Sequence, residues 1–96
     1  MKKIGMEFNL PVSIFREGKN FIAYTPVLDL STSADNYDRV KKRFEEIVGI
    51  FFEETIKNGD INSVLKNLGW RRIKKSWSPP TVISQELKNI KVPLSC

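Results

Sequence analysis

The stretch VSIFREGKNFIAYTPVLDLSTSADNYDRVKKRFEEIVGIFFEE, residues 12–54, decides the fold, because its apolar period changes once, from two to between three and four. In the first half, FIAYTPV at 21–27 is rich in aromatic and branched residues and reads as a strand that Pro26 ends or kinks. Upstream, EGKN at 17–20 supplies a glycine for a hairpin turn. The segment before it, residues 6–16, alternates: Phe8, Leu10, Val12 and Ile14 fall on one face, Glu7, Asn9 and Ser13 on the other, with Pro11 marking an edge or a bulge. LDLSTSA at 28–34 alternates again and gives a third short strand. The expectation is a three-stranded antiparallel meander.

In the second half, Tyr37, Val40, Phe44, Ile47, Val48 and Phe51 recur at helical spacing. Ser33, Asp35 or Asn36 is placed to cap that helix, and Asp38 suits its electropositive first turn. Glu45, Glu46, Glu53 and Glu54 lie off the apolar stripe, with Lys41 and Lys42 as neighbours one turn away. Phe52 also lies off it and widens the apolar face towards a second surface. Lys57-Asn58-Gly59 closes the helix, with Gly59 as the left-handed cap. Asp60 or Asn62 then caps a short helix, INSVLKNL, that stops at Gly69.

GWRRIKKSWSPP, residues 69–80, sets four cations between two tryptophans. Gly69 before it and the double proline after it favour a fourth strand of the same sheet over a helical turn. Past Pro80, Val82, Ile83, Leu87, Ile90, Val92 and Leu94 make residues 79–96 too apolar for a free tail, so the tail is expected to dock on its own domain or on a neighbouring subunit. The fold class expected is α+β, in the order β-β-β-α-α-β: one antiparallel sheet of three or four strands packed by a long and a short helix, with residues 1–78 as the domain.

Charge divides the chain. Residues 1–60 carry nine Lys/Arg against ten Asp/Glu, whereas residues 61–96 carry seven against the single Glu86. A near-neutral body with a basic arm suits a polyanion or an acidic protein. The one cysteine, Cys96, allows no disulfide within the chain and fits a reducing compartment. The opening MKKIGMEFNLPVSIF is a poor secretory signal and IVGIFF at 47–52 is too short to span a bilayer, so a cytoplasmic protein away from membranes is expected.

With no histidine, the commonest general base and metal ligand is absent, and the five isolated glycines form no phosphate-cradling loop. Asp29, with Asp35, Asp38 or Glu45, is the carboxylate set a metal-dependent nuclease would need; turn and cap roles account for it more simply. No catalytic residue, metal or cofactor is expected. Arg71, Arg72, Lys74 and Lys75 are the candidate nucleic-acid contacts, with a solvated, aggregation-resisting edge as the equal alternative. Phe52, Trp70, Trp77, Ile83, Leu87 and Ile90 are candidates for a partner or oligomer interface.

Residues 12–54, followed by VLKNLGWRRI at 64–73, resemble the HicB-like antitoxin family of toxin–antitoxin systems. FIAYTPVLDLSTSAD stands where that family has its YxAxxPDLPG strand and turn; the aromatic-small-aromatic strand and Pro26 are kept, whereas Val27, Leu28, Asp29 and Leu30 replace the Asp-Leu-Pro-Gly turn. The resemblance implies a partial, catalytically inert RNase H-like sheet and a small mRNA-cleaving HicA-type toxin as the partner to be masked. Many such antitoxins add a DNA-binding domain. Sixteen residues after Pro80 are too few for a helix-turn-helix, so DNA contact would fall to the basic segment. The function expected is that of an antitoxin, with a nucleic-acid-binding regulator using residues 71–75 as the alternative, and self-association in either case.

Overall fold

The computed structural model describes residues 8–95. It is an α+β fold in the order β1 (Ser13–Glu17), β2 (Asn20–Thr25), β3 (Leu30–Ala34), α1 (Tyr37–Lys57), α2 (Ile61–Asn67), β4 (Arg71–Ile73) and β5 (Ser76–Ser78). The first three strands form the expected antiparallel meander, with Phe15 opposite Ile22 and Ile22 opposite Ser33. Gly18 takes a φ of 61 at the first position of the two-residue β1–β2 loop, where a side chain would be strained.

The first strand is shorter than its alternation suggests. Residues 8–11 extend past the end of β2, which stops at Thr25 before Pro26, so among the described residues they have no strand to pair with. Phe8 instead stacks on Phe52, ring centroids 5.4 Å apart. Met6 and Glu7, at the start of that expected strand, lie outside the described residues. In the turn to β3, Val27 and Leu28 are buried, and Asp29 takes a φ of 52 that short polar side chains tolerate.

Asn36 caps α1: its side chain accepts from the Arg39 backbone N–H at 2.7 Å, while Asp35 pairs with the Arg39 guanidinium at 3.2 Å. Gly59 follows the helix with a φ of 76, as expected of a left-handed cap. The short helix α2 is entered from Asp60, which makes no side-chain cap. Asn62 does not cap it either; its side chain accepts from Arg72.

Two apolar clusters result. Ala23, Ala34, Val40 and Phe44 form one between the sheet and the first half of α1, where two alanines let the helix approach closely. Val27, Leu28, Leu65 and Trp70 form the other, between the β2–β3 turn and α2, with Phe51 and Phe52 of α1 packed on it. Val48 packs against both. Thr25 is fully buried, and its hydroxyl has no hydrogen-bond partner among the described residues.

The fourth strand of the same sheet is corrected. Residues 71–78 fold into a separate two-stranded sheet, with Lys74 and Lys75 as the loop and Ile73 opposite Ser76. Two strands of three residues fold back on themselves instead of extending the meander, because Lys74 enters the left-handed region at a φ of 58 and reverses the chain. Residues 81–95 carry no regular structure and are exposed throughout.

Candidate functional site

The β4–β5 hairpin gathers the four cations on one short ribbon and divides them between its faces. Arg72 and Trp77 are directly opposed and share the inner face, the guanidinium lying 5.8 Å from the indole centroid. Arg72 also donates from Nη1 to Asn62 Oδ1 at 3.3 Å, which ties the hairpin to α2. Arg71 points to the other face beside the exposed Ile73, and Lys74 and Lys75 form the tip. Among the described residues, none of the four lies within ion-pair distance of a carboxylate. Three exposed cations on a narrow ribbon, backed by an arginine held over tryptophan, make a compact positive edge.

The tip is strained. A non-glycine residue in the left-handed region costs about 1–2 kcal/mol, and glycine gives back part of that through its freer unfolded chain. Lys74→Gly is therefore expected to stabilise the fold by about 0.5–1 kcal/mol. The check is a rise in the urea midpoint with an unchanged slope.

The tryptophans separate. Trp70 is 3% exposed; its Nε1 donates to the Val27 carbonyl at 2.7 Å and its ring meets Phe8 edge-on at 5.0 Å. It lies in the core and offers no face to a partner. Trp77 is half-buried on the rim of the same cluster, and Phe52 is half-buried between Phe8 and Trp70. Ile83, Leu87 and Ile90 are exposed, at 90%, 103% and 73% of their reference areas. The start of the tail is different: Pro79, Pro80 and Val82 line a shallow groove with Asn9, Leu10 and Pro11.

A second polar surface lies on α1. Glu45, Glu46, Glu53 and Glu54 are all exposed. The expected pairs with Lys41 and Lys42 do not close; Lys41 lies over the Tyr37 ring instead, 4.9 Å from its centroid. The helix thus presents carboxylates without a cation in ion-pair range among the described residues.

The alternation that turns Ile14, Phe21 and Ala23 towards α1 turns Phe15, Ile22 and Tyr24 to the opposite side of the sheet, where no helix among the described residues covers them. Phe15 is 54% exposed. Tyr24 donates its hydroxyl to Asp29 Oδ1 at 3.2 Å. Partial burial first, then that hydrogen bond and the carboxylate charge, raise the phenol above its ordinary value. The alternation in Asn20–Thr25 holds the signal for this open aromatic face, but which side α1 covers is information the sequence lacks.

The carboxylates of the nuclease alternative do not converge. Asp29 serves the β2–β3 turn, Asp35 pairs with Arg39, and Asp38 sits in the first turn of α1. No group of three or more potential metal ligands occurs among the described residues, and no helix among them is long and apolar enough to cross a membrane. Comparison with family models, with curated proteins and with solved structures returns no match for this chain.

Proposed function

We propose that the protein works by stoichiometric binding, as a HicB-like antitoxin that masks a small, basic, mRNA-cleaving toxin of the HicA type in a reducing cytoplasm. The observation that carries this reading is the outward side of α1. It follows the three-stranded meander directly, in the order the resemblance implies, and bears Glu45, Glu46, Glu53 and Glu54 free of intramolecular ion pairs among the described residues. Unpaired surface carboxylates raise the encounter rate with a cationic partner and set its orientation. Masking is then steric: the glutamates of α1, a helix whose acidic and basic residues balance overall, face the toxin's RNA-binding side and the bulk of the sheet closes access to it.

The test is co-expression with the chromosomal neighbours and affinity capture at moderate salt. A small basic protein retained at fixed stoichiometry supports the reading. Capture of nucleic acid with no protein partner overturns it.

The exposed basic hairpin favours a second reading, a nucleic-acid-binding regulator. A two-stranded ribbon fits the width of a DNA major groove, and Arg71, Lys74 and Lys75 project from it. Under this reading Arg71→Ala/Lys75→Ala leaves the fold intact and lowers the slope of log affinity against log salt by about 1.8, at roughly 0.9 for each phosphate that is no longer neutralised. Fluorescence anisotropy on labelled duplex across a salt series measures it; an unchanged slope rejects the hairpin as the binding surface.

A further inference from the structure

The tail presents an unusual combination: Ile83, Leu87, Ile90, Val92 and Leu94 are each at least 69% exposed, and the molecule measures 62 Å in its longest dimension against 30 and 24 Å in the others. In its own subunit the tail runs clear of the sheet. Its last part, Ile90-Lys91-Val92-Pro93-Leu94, has the two-residue alternation of a half-buried strand.

The sheet has two edges, and they are not equivalent. On β3 the Arg43 guanidinium donates to the Ser33 carbonyl at 3.0 Å and occupies the outward backbone there. On β1 no such guard exists among the described residues. The two-residue loop makes Glu17 and Asn20 a hydrogen-bonded pair. Bonded pairs therefore recur at Phe15–Ile22 and Ser13–Tyr24, which leaves the backbone groups of Ile14 and Arg16 directed away from β2. An open row of donors and acceptors recruits another strand.

We propose that residues 90–94 of a second copy of this chain add antiparallel to the edge of β1, and that the exchange is reciprocal, giving a closed two-fold dimer. One register satisfies both strands: Val92 opposite Ile14, with Leu94 opposite Val12 and Ile90 opposite Arg16. It turns Ile90, Val92 and Leu94 to the side covered by α1, where Ile14 is already part of the sheet–helix cluster and Val12 is 42% exposed. Lys91 then lies on the open side opposite Phe15, diagonal to Glu17, an attractive placement. Pro93, which has no N–H, points its nitrogen away from β1, so the added strand ends the sheet and recruits no further copy.

The departure point suits reciprocity. The tail leaves its own fold beside Asn9, Leu10 and Pro11, immediately before β1. Each acceptor edge therefore adjoins the root of a donor tail, and the seven steps from Ile83 to Ile90 span up to roughly 25 Å when extended. Such an interface is the same patch used twice, as two-fold dimers require. It involves neither the glutamates of α1 nor the basic hairpin, and it stands whether or not a toxin is bound.

The test is analytical ultracentrifugation of the full chain over a concentration series, with backbone hydrogen exchange read by NMR. The expected result is a dimer in which the Ile14 and Arg16 amides exchange slowly. Ile90→Asp/Val92→Asp is expected to weaken dimerisation by roughly a hundredfold or more, and to return those two amides to fast exchange while the Phe21 and Ala23 amides keep their protection. A monomer at all concentrations overturns the proposal, including one whose tail is protected by folding onto its own subunit. So does a dimer that survives the double substitution.

Discussion

A Trp70→Ala chain is expected to lose about 3–5 kcal/mol of folding stability. The indole is nearly inaccessible, packs edge-on to Phe8 and Phe52, and sits among Val27, Leu28 and Leu65. Truncation opens a cavity that these neighbours, drawn from four separate parts of the chain, fill only partly. It also orphans the Val27 carbonyl, whose partner Nε1 reaches it across 43 residues of sequence. A typical domain has about 5–15 kcal/mol in total, and one this short lies towards the low end, so a large fraction of the variant is unfolded at physiological temperature. Urea denaturation followed by far-ultraviolet circular dichroism gives the number. Trp70→Phe keeps most of the ring volume and loses the hydrogen bond, which sets its expected loss at about 1–2 kcal/mol. If the alanine variant lost less than about 1 kcal/mol, Trp70 would not be the anchor of its cluster.

Phe44→Ala is expected to cost about 3–5 kcal/mol as well, through the other cluster. Phe44 is 5% exposed and, with Val40, is the main bulk that α1 inserts against Ala23 and Ala34. Those alanines cannot grow to refill the space. The half-exposed Tyr37 on the same helix has no comparable role, and Tyr37→Ala is the matched control. The readout is again the denaturation midpoint, with Trp77 fluorescence recorded alongside to report the second cluster separately. A Phe44→Ala loss no larger than the Tyr37→Ala loss would mean that α1 is held chiefly by its C-terminal half.

Much of this architecture is legible in the sequence because local rules and tertiary packing agree. Gly18, Asn36 and Gly59 each punctuate an element by their own conformational chemistry, and the helical stripe of α1 is unambiguous. The second hairpin is hidden because its loop is Lys74-Lys75: with no glycine or asparagine, nothing in RRIKKSWS signals a reversal. Local propensity is overridden there by the need to set Trp77 on the rim of the cluster that Trp70 fills. The candidate surfaces are partly legible. Exposed cations and carboxylates follow from residue type. That Lys41 turns to Tyr37 and leaves the glutamates free depends on a rotamer choice no spacing encodes. The open side of the sheet likewise needs knowledge of which face α1 takes.

Val48 has a consequence of its own. Among the described residues it alone packs against both apolar clusters, at the middle of α1. Resistance to unfolding therefore passes between the clusters through this side chain and through the β2–β3 turn, whose Val27 and Leu28 belong to the second cluster while Leu30 is paired in the sheet. Opening of α2 and the basic hairpin therefore uncovers Val27 and Leu28 and loosens the end of the meander with them. Heat and denaturant then meet one threshold, because neither cluster can be lost without exposing side chains on which the other depends.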